Sequence, residues 1–147
     1  MFQSMNNTAS ALTSQRLRMD VISSNVANVD TTRGQYVDGE WIPYQRKSVV
    51  LQTKNSSFSS FLNAAMKNNE AGQGVQVSRI IQDRTPGELV YNPNHVDANE
   101  EGYVEMPNVD PLREMVDLMS ATRSYEANVT VFNASKSMMM KALEIGK

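Results

Sequence analysis

Apolar residues in the C-terminal part of the chain recur at intervals of three and four, the spacing of one face of an α-helix. Residues 112–145 contain neither glycine nor proline, so no residue there interrupts a helix. The pattern predicts one long helix over 112–145 whose apolar face forms a heptad seam. The seam positions are Met115, Leu118, Thr122, Tyr125, Val129, Phe132, Lys136, Met139 and Leu143.

The ends of this predicted helix carry start and stop signals. Asn108 or Asp110 can accept hydrogen bonds from the first free amides, and Pro111 suits the first turn. Gly146 follows the last seam residue and can end the helix. The sequence leaves the choice between Asn108 and Asp110 open.

The N-terminal residues repeat this arrangement. Residues 1–30 also lack glycine and proline, and their seam positions alternate the same steps of three and four. We therefore predict a second long helix over 1–30, antiparallel to the first and paired with it as a coiled-coil-like bundle. Its seam consists of Phe2, Met5, Ala9, Leu12, Arg16, Met19, Ser23 and Val26.

The C-terminal helix carries more apolar side chains than one partner helix can cover. A helix that is apolar on more than one face is buried on more than one side. Either other subunits cover the excess in an assembly, which the pattern favours, or the middle of the chain folds back over it. The apolar residues outside the seam are Val116, Met119, Val131, Met138 and Met140.

Two charged residues, Arg16 and Lys136, interrupt the seams. A charge at such a position weakens a simple helix pair but fixes its register and partner. Arg16 is then expected to pair with Glu126 or Asp117, and Lys136 with an acid on a neighbouring molecule. The alternative is that both long side chains extend to the rim of the interface and into water.

Glycine, proline and aromatic residues concentrate between the two predicted helices, which indicates a β-rich region. Asp38-Gly39 is the signature of a tight hairpin. The strand at 48–51 should be buried, and the strand at 75–81, whose residues alternate, should be half-buried. The predicted strands are 35–37, 40–42, 48–51, 75–81, 88–91 and 102–106.

The predicted fold class is α+β, divided into two domains. Residues 1–30 and 107–147 form a discontinuous helical assembly domain, and residues 31–106 form a β-rich middle domain. Within the middle, residues 54–73 are rich in serine, asparagine and alanine. We expect a flexible loop there, with at most a short helix around 58–66.

Composition argues against several classes of function. The 147 residues include no cysteine, which excludes disulfides, thiolate nucleophiles and cysteine-based metal sites. The formal charge of −2 provides no basic excess for nucleic acid. No run approaches the roughly 20 apolar residues of a membrane helix, and the start lacks the features of a cleaved signal peptide. The single histidine, His95, is more often a turn residue than a base, so we expect no enzyme, cofactor or metal site.

Several stretches resemble the terminal signatures of bacterial flagellar rod and hook proteins. The N-terminal stretch is SNVANVDT at 24–31. The C-terminal stretches are EMVDLM at 114–119, ATRSYEAN at 121–128, KSMM at 136–139 and AL at 142–143. The residues that match the family motif are Asn25, Ala27, Asn28, Tyr125, Glu126, Ala127 and Asn128.

The middle of the chain resembles the proximal-rod type within this family. The matching stretches are DTTR at 30–33, YQRK at 44–47 with VV at 49–50, LVYNP at 89–93, HVDA at 95–98 and GYVEMPNVD at 102–110. Two positions depart from the family pattern: Thr31-Thr32-Arg33-Gly34 stands where relatives usually have Thr-Pro-Gly-Tyr, and Val96 replaces a proline. The resemblance covers the chain except about 54–73.

The resemblance implies a structural subunit of the flagellar basal-body rod, a tubular drive shaft that transmits torque for motility. It implies export by the flagellar type III apparatus without a cleaved signal peptide, and a place in the cell envelope. The implied partners are copies of the same chain, homologous rod proteins, the export apparatus and the inner-membrane ring, without nucleic acid or membrane insertion. The alternatives are another axial subunit of the family, a free dimeric coiled-coil adaptor, and an enzyme with a site around His95.

Overall fold

A computed structural model describes residues 2–54 and 74–145. The described elements confirm an α+β fold, with a helix at each end and short strands between them. The predicted flexible loop 54–73, apart from Lys54, and the short helix around 58–66 lie outside the described residues. The elements are α1 (Phe2–Ala27), β1 (Gln35–Val37), β2 (Glu40–Ile42), β3 (Lys47–Thr53), β4 (Val75–Gln82), β5 (Leu89–Tyr91), β6 (Tyr103–Glu105) and α2 (Pro111–Ile145).

The two long helices pack against each other in antiparallel orientation. Asn25 near the end of α1 contacts Glu114 in the first turn of α2. Further along α2, the Thr122 hydroxyl donates to the sulfur of Met19, 3.6 Å away. With 26 and 35 residues, α1 and α2 are about 39 and 52 Å long. Because the helices meet at the start of α2, the excess length of α2 projects at its C-terminal end.

Asp110 rather than Asn108 caps the start of α2. Its Oδ1 accepts hydrogen bonds from the amides of Leu112 at 2.9 Å and Arg113 at 3.3 Å. Pro111 takes the first helical position, where a missing N–H costs nothing. Neither described helix has a stretch long and apolar enough to cross a membrane.

The described strands form three separate antiparallel pairs, β1–β2, β3–β4 and β5–β6. The predicted hairpin is confirmed: Val37 pairs with Glu40, and Asp38 and Gly39 have φ angles of 53° and 95°. Two consecutive positive φ values match the right-handed twist of the flanking strands. We call the β3–β4 pair the ribbon.

The ribbon packs on α1, so α1 lies between the ribbon and α2. At the far end of the ribbon, the Val75 amide donates to the Ser10 hydroxyl at 3.1 Å. The predicted burial of the strands was partly wrong. Strand β3 is half-buried with an exposed end instead of buried, and β4 is half-buried only over its first three residues. The strands are antiparallel, so their half-buried starts lie at opposite ends of the ribbon, Lys47 near Asn25 and Val75 near Ser10. Helix α1 thus covers the first part of each strand, and burial falls along each strand instead of alternating.

Few apolar side chains are fully enclosed in the isolated chain. The buried apolar residues of the described part lie mainly around the junction where α1 ends and α2 begins. They are Val21, Ile22, Val104, Val109 and Ala121. A core this small indicates that much of the apolar surface remains available for contacts outside the chain.

Candidate assembly surface

A fully buried asparagine, Asn25, joins three elements at the junction of the helices. Its Oδ1 accepts from the Lys47 amide at 2.9 Å and the Tyr44 hydroxyl at 3.0 Å. Its Nδ2 donates to the Lys47 carbonyl at 2.8 Å and to Glu114 Oε2 at 2.9 Å. The amide thus pairs with the first residue of β3 as a neighbouring strand would, and all four of its hydrogen-bonding positions are used.

Glu114 is a carboxylate with no exposed surface. Its Oε1 accepts a hydrogen bond from Arg46 Nε at 2.6 Å, and its Oε2 accepts the bond from Asn25. A buried carboxylate is tolerated only when it is paired and hydrogen-bonded, and here both conditions are met. Arg46 precedes β3, so this ion pair fastens the middle of the chain to the start of α2.

Asp117 extends this ion pair into a small network. Its carboxylate lies 3.7 Å from Arg46 Nη2 and 3.6 Å from Arg18 Nη2. Arg16 was predicted either to pair with Glu126 or Asp117 or to extend to the rim of the interface. Arg16 is exposed, and Arg18 takes the place beside Asp117. Arg18 lies two residues further along α1, which turns its side chain about 200° around the helix from Arg16.

Asn108, which was considered as a cap, instead connects the ribbon to the approach of α2. Its Oδ1 accepts from the Arg46 amide at 2.8 Å, and its Nδ2 donates to the Asp83 carbonyl at 3.0 Å. Asp83 also donates its own amide to the Arg46 carbonyl at 2.8 Å. Hydrogen bonds to the hydroxyl and amide of Thr85 lower the pKa of the Asp83 carboxyl.

Sequence reasoning did not assign a site role to Glu114, Arg46 or Asn108. Glu114 and Arg46 entered the prediction through the family stretches, and Asn108 also as one of two candidate caps of the last helix. The sequence contained a signal for this buried face. A seven-residue repeat of Glu114, Ala121, Asn128 and Ser135 precedes by one position the predicted seam series that begins at Met115. Glu114 and Ala121 are buried, and Asn128 and Ser135 are half-buried.

The predicted seam residues of α1 divide into two groups. Phe2, Ala9, Arg16 and Ser23 are exposed, whereas the other four seam residues are half-buried: Met5, Leu12, Met19 and Val26. Of these, Met19 contacts α2 through the Thr122 hydroxyl. A role for the others in assembly stays a prediction.

The predicted seam residues of α2 also divide by exposure. Those on the half-buried side are Leu118, Thr122, Tyr125, Val129, Phe132 and Met139. Those exposed in the isolated chain are Met115, Lys136 and Leu143. The inner face of α2 is therefore rotated toward the series that begins at Glu114, whose first two members, Glu114 and Ala121, are buried. Contacts of the exposed residues with neighbouring subunits stay a prediction.

Exposed apolar side chains of α2 lie outside its contact with α1, on its outer face and on its C-terminal overhang, and we call this uncovered set the outer stripe. The ribbon packs against α1 and leaves this stripe exposed in the described part of the chain. The observation favours cover by other molecules over fold-back of the described middle. The exposed members are Leu112, Met115, Val116, Met119, Val131, Met138, Met140, Leu143 and Ile145.

The family-motif residues have different surroundings. Asn25 holds the junction, and the Asn28 side chain closes the end of α1 by donating to the Ser24 carbonyl at 2.8 Å. Asn128 donates to the Ser124 carbonyl of its own helix at 2.8 Å. Tyr125 and Asn128 are half-buried, whereas the three remaining motif residues are exposed: Ala27, Glu126 and Ala127.

His95 occupies a turn. Its amide donates to the Asn92 carbonyl at 3.1 Å, and its Nδ1 accepts from the Asp97 amide at 3.1 Å. Hydrogen bonds from Arg33 and Thr32 lower the pKa of Asp97, so this carboxylate serves as an anchor for the chain after α1. In the part of the chain that the structure describes, no cluster of three or more histidine or acidic side chains is arranged to bind a metal ion.

Comparison with protein families matches both ends of the chain. Residues 5–34 match the family model "Flagella basal body rod protein", and residues 100–145 match "Flagellar basal body rod FlgEFG protein C-terminal". The first match contains Asn25 and the second contains Glu114, so the hydrogen bond between them joins the two matched segments.

Similar proteins cover the whole chain. The flagellar basal-body rod protein FlgC of Bacillus subtilis is 64% identical over 99% of this chain and 98% of its own. The chain belongs to the FlgC family of flagellar basal-body rod proteins. The FlgC proteins of Borreliella burgdorferi and Escherichia coli O6:H1 are 44% and 46% identical, over 99% and 94% of this chain and 97% and 92% of their own. Membership of this family confirms the resemblance stated from the sequence.

Proposed function

We propose that this protein is a structural subunit of the proximal rod of the bacterial flagellum. It assembles with copies of itself and with homologous rod proteins into the tubular shaft that transmits torque. The observation that carries the proposal is the outer stripe, a set of apolar side chains on α2 that the described part of the chain leaves uncovered. Membership of a family of rod proteins supports the same role.

The proposed mechanism is mechanical. Close-packed antiparallel helices resist torsion because side chains interlock along their length. The network of Asn25, Glu114 and Arg46 ties the middle of the chain to both helices, so load applied to one part reaches the other. Methionine side chains in the outer stripe can adapt to neighbours that are similar but not identical. This adaptability suits a shaft built of several homologous proteins.

We assign a separate role to each of the two domains. Residues 1–30 and 107–147 form the assembly domain, and residues 31–106 form a β-rich middle domain. The export apparatus and the inner-membrane ring are proposed as the contacts at the base of the rod. The protein reaches the cell envelope through the flagellar export apparatus, without cleavage of a signal peptide.

The predicted seam supplies two kinds of contact in this proposal. Its half-buried members, such as Tyr125 and Phe132, hold α1 and α2 together. Its exposed members Met115 and Leu143 belong to the outer stripe and contact neighbouring subunits. Exposed Lys136 and Arg16 then lie at the rim of the subunit interface, where each can pair with an acid on a neighbour.

Complementation of a strain that lacks the native gene tests the proposal. The chain should restore swimming and should be present in purified basal bodies. Met115→Glu combined with Met119→Glu places two charges in the outer stripe and should abolish both results. Met115→Leu combined with Met119→Leu keeps the stripe apolar at the same two positions, is the control and should be mild. A variant that swims normally despite both charges would contradict the proposed assembly surface.

Sedimentation of the purified chain separates the alternatives. The rod subunit should be a monomer with weak association in dilute solution, because its cover comes from a larger assembly. A free coiled-coil adaptor should instead be a stable dimer. Another axial subunit of the family would be detected by its position in basal bodies, and an enzyme by loss of function in His95→Ala.

A further inference from the structure

The charged residues divide unevenly between two parts of the molecule. Residues 28–45 and 83–110, which carry the β1–β2 and β5–β6 hairpins, contain ten acidic and two basic residues, hence a formal charge of −8. We call this part the acidic end. The other described residues contain ten basic and five acidic residues, hence +5. The formal charge of −2 for the whole chain conceals this separation.

The separation follows the long axis of the helices. The acidic end adjoins the junction, where Asn25 meets Lys47. The ribbon then runs along α1 to Val75, whose carbonyl lies 3.5 Å from the Ser14 hydroxyl. From Asn25 to Ser14 the helix rises about 16 Å. Lys54, whose amide donates to the Gly74 carbonyl, lies at this far end. Arg79 pairs with Val50, three residues and about 10 Å along the ribbon from Lys47.

A groove of about 500 Å³ separates the two hairpins of the acidic end. Trp41, Leu89 and Tyr103 supply apolar lining, and Glu40 and Glu105 supply carboxylates. Trp41 is 52% exposed, so one partner could cover a large part of its ring. Asp97 also lines the groove, but its carboxylate is paired with Arg33 at 2.6 Å. The chemistry of the groove suits a cation next to an apolar side chain, with the cation near the Trp41 ring.

The ribbon carries this combination. Arg79 and Ile81 are two residues apart on β4, so they share one face of the strand. Both are exposed, Ile81 at 41%. Groove and ribbon face are thus two different surfaces of one chain with opposite charge and matching apolar content.

We propose that the groove of one copy binds the Arg79–Ile81 face of a second copy. The inference rests on the proposed function, because it assumes that copies of this chain contact each other in the rod. A contact between two different surfaces is heterologous, and its repetition generates a ring or a helical array. The contact thus specifies the relative position of successive copies. Repulsion between like charges disfavours contact between two acidic ends.

Cysteine cross-linking tests the pairing directly, since the chain contains no cysteine of its own. Full-length Glu40→Cys and Arg79→Cys chains are produced together in cells that lack the native chain, and a short thiol-specific cross-linker is added. A dimer is expected in cells with both variants and in neither single-variant culture. Glu101→Cys with Arg79→Cys is the control, because Glu101 belongs to the acidic end but does not line the groove.

Three results would overturn the inference. They are absence of the mixed dimer from motile cells, equal dimer yield from a single variant, and cross-linking of Glu40→Cys to a different protein. In all three the proposed function stands if both variants are found in purified basal bodies. Absence of the unmodified chain from basal bodies would instead refute the proposed function.

Charge exchange provides the second measurement and covers the case in which a cysteine variant fails to assemble. Glu40→Arg and Arg79→Glu should each reduce the swimming halo, and the two together in one chain should recover most of the loss. Glu101→Arg should swim normally. A double variant that swims no better than the worse single variant would overturn the pairing.

Discussion

Asn25 donates a hydrogen bond to Glu114 at 2.9 Å across 89 residues of sequence, and neither side chain has any exposed surface. Asn25 lies near the end of α1 and Glu114 in the first turn of α2, so this bond joins the N-terminal and C-terminal helices. The bond is also the point where the strand β3 joins both helices through Lys47 and Arg46. The junction should therefore be the part of the isolated chain most sensitive to substitution.

Asn25→Asp should be strongly destabilising. The change removes both donated hydrogen bonds and places a second carboxylate beside buried Glu114. We expect the free energy of unfolding to fall by about 3–5 kcal/mol, the range for breaking a buried charged pair. Urea unfolding followed by circular dichroism measures the loss. Asn94→Asp, an exposed turn residue, should change stability by less than about 0.5 kcal/mol, and equal losses would contradict the proposed role of Asn25.

Glu114 and Arg46 should be energetically coupled. Arg46→Met leaves a fully buried carboxylate without its cation, whereas Glu114→Gln leaves an arginine that still reaches solvent. Arg46→Met should therefore be the more destabilising single change. The double variant should be more stable than the sum of the single losses predicts, by about 1–3 kcal/mol in a double-mutant cycle. Simple additivity would show that the 2.6 Å contact contributes no net pairing energy.

Phe132→Ala should impair rod completion more than it impairs folding. Phe132 is half-buried in the isolated chain, so the loss of stability should be below the roughly 3–5 kcal/mol of a fully buried phenylalanine. The same defect recurs in every copy of an assembly, so its effect on the rod accumulates. Swimming assays and counts of complete basal bodies measure this. His95→Ala, at normal protein abundance, should leave both unchanged, and the reverse order of severity would support an enzyme.

Asp97 should act as an anchor that fails only in acid. Hydrogen bonds from Arg33 and Thr32 lower its pKa below the ordinary value of 3.8. A lowered pKa in the folded state means that the stabilisation is fully present above 3.8 and is lost as the pH falls through the folded value. Arg33→Gln should raise the pKa of Asp97 toward 3.8 in an NMR titration. Asp83, whose pKa is lowered by Thr85, is the control and should not respond.

Local patterns predicted the secondary structure because helices and tight turns are formed by neighbours in sequence. The three-four periodicity and the absence of glycine and proline indicated both helices, which the structure places at Phe2–Ala27 and Pro111–Ile145. Asp38-Gly39 indicated the hairpin because both residues adopt positive φ angles readily. The same information could not predict strand burial, since burial of β4 depends on how far α1 extends over it.

Local patterns likewise predicted only part of the candidate assembly surface. Periodicity identified an apolar excess on the last helix, and the outer stripe is exposed there as that excess requires. It could not predict the rotation of α2, because a stripe wider than one seam is compatible with several orientations. Tertiary contacts decided the rotation: Glu114 reaches Arg46 and Asn25 only when its series faces inward.

The sequence by itself determined two long terminal helices, a β-rich middle and an apolar surface larger than one chain covers. These properties follow from local hydrogen bonding and from the count and spacing of apolar residues. Only the tertiary structure decided that Asp110 caps α2, that Arg18 replaces Arg16 beside Asp117, and that Asn25 and Glu114 share one buried network. Each of these choices depends on distances between residues far apart in the chain, which arise only when the elements have packed.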